Sequence, residues 1–288
     1  MFDLIIIGKG PAGIAAALYA LRANLKVMII GKDAGTLPQA HLIENYYGLE
    51  KPISGEELFE IGIHQAKTLG AEFLDDEVLG LDFDGNFVVK TKTQSLSSIS
   101  LIMATGISRK RGNVPGAAEF EGKGISYCAV CDGFFYRSKS VAVLGSGEYA
   151  LHEAKDLLNV TDKVKILTNG QPLTVKIPDD IEVIQTPILK LFGDGNLEGV
   201  EFKDGAKLEL NGLFVALGSA SASDFARKIG AAVEGNQIVV NKDMQTTVPG
   251  LYAAGDCVGG PFQVGVSVGE GTIAGLNAIK YIRDKKRG

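Results

Sequence analysis

The sequence predicts an α/β protein made of two nested Rossmann-like units, with the first unit split in two by the second. Three observations carry this reading. A strand, a glycine-rich turn, a helix and a second strand follow one another over residues 4–30. The same signal recurs from residue 141. Far downstream, residues 247–256 read as a turn, a short strand and a Gly-Asp pair. Periodicity and turn residues of this kind mark βαβ units and a parallel sheet.

The first unit opens on Leu4–Ile7, an apolar run suited to a strand buried on both faces. Gly8-Lys9-Gly10-Pro11-Ala12-Gly13 follows at once, then an alanine-rich helix over about residues 14–23, then a strand over Val27–Ile30. In that context the glycines have separate tasks. Gly8 permits the tight turn, Gly10 lets backbone approach a pyrophosphate, and Gly13 lets helix and sheet pack closely. The helix N-terminus behind the turn offers free N–H groups and a favourable dipole to phosphate. The turn therefore predicts dinucleotide binding. One part is missing: the ribose-binding acid expected after the second strand is replaced by Gly31-Lys32. The adenosine half needs other anchors.

The second unit repeats the strand as Val141–Leu144 and the turn as Gly145-Ser146-Gly147-Glu148-Tyr149-Ala150. A helix over about 151–158 and a strand over 163–167 follow. An NAD site places an acid after that strand and an NADP site places an arginine nearby. This chain has Thr168-Asn169-Gly170, then Gln171-Pro172. The glycines there are expected to serve packing, with pyridine-nucleotide binding lost. Two prolines before the strand at 181–184 leave little room for a helix.

Cys128-Ala129-Val130-Cys131 precedes the second unit, in a chain with three cysteines in all. Two thiols at this spacing close into a small disulfide ring and open again, commonly with one depressed thiol pKa. The alternative is half of a zinc site, but only Cys257, His41, His64 and His152 remain as ligands, without ligand spacing. A redox-active disulfide is the better reading in a βαβ context, and no metal is expected. Asp132 follows the pair at once and is placed to shuttle a proton; the plain alternative is a turn or helix-cap residue. Cys257 is expected to be a packed thiol.

Composition narrows the class further. Net charge is −5 and no long basic segment precedes the C-terminal tail, which argues against nucleic acid. No apolar stretch is long enough to span a bilayer. The first strand begins directly after Met1, without a charged leader or cleavage site, so a cytoplasmic protein is expected.

Several motifs taken together resemble the low-molecular-weight thioredoxin reductase family over essentially the whole chain. They are residues 8–13, Ile43-Glu44-Asn45-Tyr46-Tyr47-Gly48, Ala104-Thr105-Gly106, residues 128–133, residues 145–147, and Thr246-Thr247-Val248-Pro249-Gly250 through Gly255-Asp256. The resemblance implies a two-dinucleotide-binding-domain flavoprotein with FAD as cofactor. It implies that Gly255 and Asp256 meet the ribityl and phosphate region, and that Asn45, Gln263 and Val264 line the flavin. As plain polar side chains, Asn45 and Gln263 read equally as turn or strand residues; Asp256 alone reads equally as a helix cap.

The family's NADPH-dependent members carry a His-Arg-Arg signature where this chain has residues 168–170, and Arg-Gln-Ala where it has Phe262-Gln263-Val264. These departures resemble the ferredoxin-dependent flavin thioredoxin reductases. The resemblance then implies electron flow from ferredoxin through FAD to the Cys128–Cys131 disulfide and on to thioredoxin, in a homodimer. An FAD domain is expected over 1–113 and 241–288, with an inserted redox domain over 114–240. Hinges near 112–115 and 241–243 suit a rotation between the two. Arg109-Lys110-Arg111 reads as a docking patch for an acidic ferredoxin or as a solvated loop. An NADPH-dependent reductase with an atypical nucleotide site and a non-catalytic FAD-binding redox sensor stand as alternatives.

Overall fold

The structure is a computed structural model. It describes residues 1–106, 114–127, 129–218 and 221–287, without the side chain of Cys131. Cys128, the basic run 109–111 and the first expected hinge, apart from its last two residues, lie outside the described residues. Contacts divide the chain into two units, Met1–Ser108 with Ser221–Gly288, and Arg109–Ala220.

The first unit starts with β1 (Phe2–Ile7), whose Leu4, Ile5 and Ile6 are wholly buried, as a central parallel strand requires. Helix α1 (Pro11–Arg22) has proline at its first turn, where the missing N–H costs nothing. β2 (Val27–Ile30) pairs in parallel with β1. Helix α2 (Gly55–Thr68) begins at Ser54, whose hydroxyl accepts the Glu57 N–H at 3.0 Å. β3 (Glu72–Leu74), β4 (Val78–Phe83), β5 (Phe87–Thr91) and β6 (Ser95–Met103) follow. β6 runs beside β1, and β4 and β5 join antiparallel.

Residues 91–100 look like a polar hairpin or loop in the sequence. The tight turn is there: the Thr91 N–H donates to the Gln94 carbonyl at 2.8 Å. β5 and β6 pair antiparallel across it, as in a hairpin, and the serine-rich stretch after it is the first part of the central strand β6. Ser98 and Ser100 are completely buried, and their hydroxyls donate to the carbonyls of Ser100 (2.8 Å) and Gly250 (2.7 Å). A buried hydroxyl with a partner carries no desolvation penalty large enough to expel it.

The second unit contains β7 (Ile125–Ser126), the short α3 (Ala129–Asp132), β8 (Val141–Leu144), α4 (Glu148–Leu158), β9 (Val164–Leu167), β10 (Glu182–Ile184), β11 (Ile188–Phe192), β12 (Gly199–Phe202), β13 (Lys207–Glu209) and β14 (Gly212–Val215). A parallel five-stranded sheet runs β10-β9-β8-β14-β7, and β11-β12-β13 form a three-stranded antiparallel sheet. No helix forms among residues 171–181, as the two prolines predict.

The chain then returns to the first unit. Helix α5 (Ala222–Lys228) starts at a capping box between Ser221 and Asp224. β15 (Val233–Glu234) and β16 (Gln237–Ile238) make a small hairpin, β17 (Leu251–Ala253) joins β6 in parallel, and α6 (Val264–Arg287) ends the fold. The expected boundary at 240/241 therefore differs from the contact division, which groups 221–240 with the first unit. The reason is local. The Ala232 N–H donates to the Thr247 hydroxyl at 2.9 Å, and the Gln237 side chain lies over Gly259.

Helix α6 crosses α1 at contact distance. A Cβ on Gly271 would stand 2.1 Å from the Ala12 carbonyl oxygen, and one on Gly275 would stand 2.7 Å from that of Ala16. Gly271→Ala is expected to destabilise the protein by about 2 kcal/mol or more, because backbone must move to admit the methyl. Urea midpoints of the two proteins check this; an unchanged midpoint would show that the crossing has slack.

Candidate functional site

The first glycine turn is built by backbone packed on backbone. The Gly8 N–H donates to the Ile30 carbonyl at 2.7 Å, and Gly8 has φ +121°. A Cβ at Gly8 would stand 2.1 Å from the Ala104 oxygen, and one at Gly13 would stand 2.1 Å from the Gly8 oxygen. No side chain fits at either place. Gly10 is the opposite case, with nothing within 4 Å of the same position. Open space thus lies in front of α1, where Ala12 and Gly13 have N–H groups that helix geometry leaves unpaired. This shape fits the pyrophosphate of a dinucleotide.

The other predicted FAD residues gather on the same unit. The Ala104 N–H donates to the Ile7 carbonyl at 2.7 Å, so Ala104-Thr105-Gly106 leaves β6 directly beside Gly8. Thr105 is exposed there. Gly255 (φ +80°) lies with its Cα side against Ala12, whose Cβ would be 3.0 Å from a Cβ at Gly255. Asp256 begins a single 3-10 turn, Asp256–Val258, whose N-cap position belongs to Gly255. The capping alternative is therefore not what this carboxylate does. The Asn45 amide donates to the Gln263 side-chain oxygen at 3.2 Å across 218 positions of sequence. Val264 follows as the first residue of α6.

Two residues here have no sequence signal. Glu270, on α6, accepts the Gly255 N–H at 2.8 Å and so holds the Gly-Asp turn. Burial pushes its carboxyl pKa up, the Gly255 N–H opposes that, and the neighbouring Asp256 charge adds to it. Lys9, inside the glycine turn, ion-pairs with Asp75 at 2.6 Å. Cys257 is a packed thiol, as expected. Its Sγ lies 3.4 Å from the carbonyls of Met103 and Ala254, and burial pushes its pKa up to about 12.

In the second unit, Cys128 and the Cys131 side chain lie outside the described residues, but their frame is defined. The Ser126 hydroxyl donates to the Asp132 carboxylate at 2.6 Å, so Asp132 is oriented. It heads the 3-10 turn Gly133–Tyr136 without capping it. Burial and, second, the Asp132 charge push the Tyr136 phenol up. The Ala129 N–H donates to the carboxylate of Glu153, which is 1% exposed on α4. Sequence reasoning missed Ser126 and Glu153, since nothing local marks a glutamate on a helix as buried.

The second glycine turn is covered. The Thr174 N–H and hydroxyl both donate to the Ser146 carbonyl, at 2.9 and 3.2 Å. The Thr174 oxygen would stand 3.1 Å from a Cβ on Gly147. Thr168 is completely buried, and the Asn169 side chain accepts the Ile188 N–H at 2.7 Å.

Comparison with known proteins agrees with this geometry. The family model for pyridine nucleotide-disulphide oxidoreductases matches residues 2–271. A thioredoxin reductase of Aquifex aeolicus is 34% identical over 100% of this chain and 95% of its own length. The crystal structure of an atypical thioredoxin reductase from Desulfovibrio vulgaris Hildenborough is 40% identical, with a TM-score of 0.93 over 99% of each chain. That of a ferredoxin-flavin thioredoxin reductase from Clostridium acetobutylicum is 31% identical, with a TM-score of 0.71 over 98% of each.

Glu270 generates a pH prediction. A carboxyl whose pKa is raised by folding favours the folded state most when protonated and loses that contribution as pH rises through the folded pKa. Glu270→Gln keeps an oxygen for the Gly255 N–H and removes the charge. Its melting temperature is expected to gain on the wild type as pH rises from the ordinary carboxylate range, about 4, toward neutrality. Melts at matched salt check this, and a constant difference across that range would remove Glu270 as the cause.

Proposed function

We infer that reduced ferredoxin drives this chain, and the premise is its family: the chain belongs to the pyridine nucleotide-disulphide oxidoreductases, among the thioredoxin reductases. It is an FAD-dependent oxidoreductase acting on a disulfide. We assign the Cys128–Cys131 pair as that redox centre, thioredoxin as the protein substrate, and a cytoplasmic homodimer as the working form.

The covered second turn is the observation that supports a ferredoxin donor over a pyridine nucleotide. A pyrophosphate needs the N–H groups at the start of α4 and room in front of Gly147. Thr174 stands there, tied twice to Ser146. Val175 and Ile177 pin the same segment to the core of the unit. The cofactor-selecting positions are spent as well, Thr168 in the interior and Asn169 on Ile188. The likeness to a ferredoxin-flavin thioredoxin reductase supports the same reading.

FAD supplies the capacity to take electrons singly and hand them on as a pair. The protein holds it with the backbone of residues 8–13, with Ala104-Thr105-Gly106 and Gly255-Asp256, and with Asn45, Gln263 and Val264. The disulfide takes up two electrons and two protons and opens to two thiols. One thiolate attacks a sulfur of the thioredoxin disulfide and forms a mixed disulfide. The second thiolate displaces it, which closes the Cys128–Cys131 bond again and frees reduced thioredoxin. Asp132, held by Ser126, takes and returns the thiol proton.

Anaerobic bleaching of the flavin separates the donors. Photoreduced ferredoxin is expected to bleach it at the rate of turnover, while NADPH and NADH act at least about a hundredfold more slowly, the scale on which losing charged phosphate contacts is felt. Bleaching by NADPH at the turnover rate would place the chain with the ordinary reductases.

Asp132→Asn is expected to lower thioredoxin reduction by roughly a hundredfold while leaving flavin reduction by the donor unchanged. Stopped-flow traces of the two half-reactions check it; equal losses in both would mean a structural role.

A further inference from the structure

In a Rossmann fold the adenosine lies outside the carboxyl ends of the strands, with an acid after the second strand on the ribose hydroxyls. Here Gly31 occupies that place, and the structure shows what covers it. The stem of Lys9 lies across Gly31: a Cβ at Gly31 would stand 3.1 Å from the Lys9 Cγ and 3.3 Å from its Cε. Any larger residue at 31, an acid included, would displace this lysine. The Lys9 Nζ then meets the Asp75 carboxylate at 2.6 Å. Asp75 directly follows β3, and the Gly31 N–H donates to Leu74 at 3.1 Å, so the two strand ends are adjacent. Lys9 thus spans the ends of β1, β2 and β3.

We propose that Lys9 is a cofactor-binding residue, whose ammonium, steadied by Asp75, donates to the adenosine ribose of FAD in place of the missing acid. The inference rests on the FAD reading and names how that cofactor's far half is held. An ammonium has three N–H donors; Asp75 takes one and two remain for ribose oxygens. A merely superficial ion pair is the rival account. The Lys9 side chain is only 11% exposed, although Asp75 is 78% exposed. The pair Lys26–Glu72 has the ordinary surface form, with side chains 55% and 50% exposed and a separation of 3.4 Å. Exposed pairs of that kind are worth little, and nothing in them draws a lysine stem down onto a strand end.

The test uses the full chain stripped of flavin and titrated by fluorescence with FAD, ADP, 2′-deoxy-ADP and 3′-deoxy-ADP. Lys9→Met keeps the stem and removes the donor. Its dissociation constants for FAD and ADP are expected to rise roughly tenfold, the effect of one charged hydrogen bond. The wild type is expected to prefer ADP over one or both deoxy analogues, and Lys9→Met to lose that preference. Asp75→Asn, at an exposed site, is expected to weaken ADP by about threefold. Unchanged binding by Lys9→Met, or a preference for ribose hydroxyls that survives it, would overturn the proposal with the FAD reading intact. A wild-type chain that takes up neither FAD nor ADP would overturn both. A Lys9→Met protein with an altered melting curve is decided by the Asp75→Asn series, where no effect on ADP would count against the proposal.

Discussion

The Ala104 carbonyl lies 2.1 Å from where a Cβ on Gly8 would be, and the Gly8 carbonyl lies as close to the Cβ position of Gly13. That stack of bare backbone sets the height of α1 over the sheet. It also sets where β6 releases Ala104-Thr105-Gly106, and how near α6 comes, since Gly271 touches Ala12 from the other side. Each of these segments supplies a predicted cofactor contact. The site is therefore assembled by a steric condition before any hydrogen bond to a ligand is made. Close packing transmits a misfit at one member to all the others.

The two units apply one turn to opposite ends. In the first, the space before Gly10 is open; in the second, Thr174 fills the space before Gly147. Gly145 still meets the Ala216 carbonyl, at 2.3 Å from its Cβ position, so its packing duty is intact. A glycine turn has two duties, packing the helix onto the sheet and receiving phosphate. The second unit retains the first duty when the second is blocked, which explains why the motif persists in a unit we assign no nucleotide.

What the sequence disclosed followed from how local each signal is. The strand at 4–7, the turn at 8–13 and the helix behind it lie within one stretch, and period and glycine spacing were enough to read them. The serine-rich start of β6 was harder, because polarity alone argues for a loop. Only the partners of Ser98 and Ser100, one of them 150 positions away, make burial tolerable. Asn45 and Gln263 were legible through family resemblance and not through chemistry, since the bond between them spans most of the chain. Glu153, Glu270 and Thr174 were invisible for the same reason. Each acts on a backbone group of a different element, and no spacing rule reports that. The tie from Ala232 to Thr247 likewise moves residues 221–240 to the other unit without any change in composition at the border.

Cys257 has a consequence for the chemistry around it. A chain that works by exchanging disulfides must keep any third sulfur out of the exchange, or the pair will scramble into a dead-end bond. Thiolate is the reactive form, and a thiol held near pKa 12 is almost never ionised at neutral pH. Its burial beneath Met103 and Ala254 closes the approach as well. The interior of the first unit thereby acts as insulation, keeping this sulfur electrically and sterically silent beside the pair we assign to the exchange.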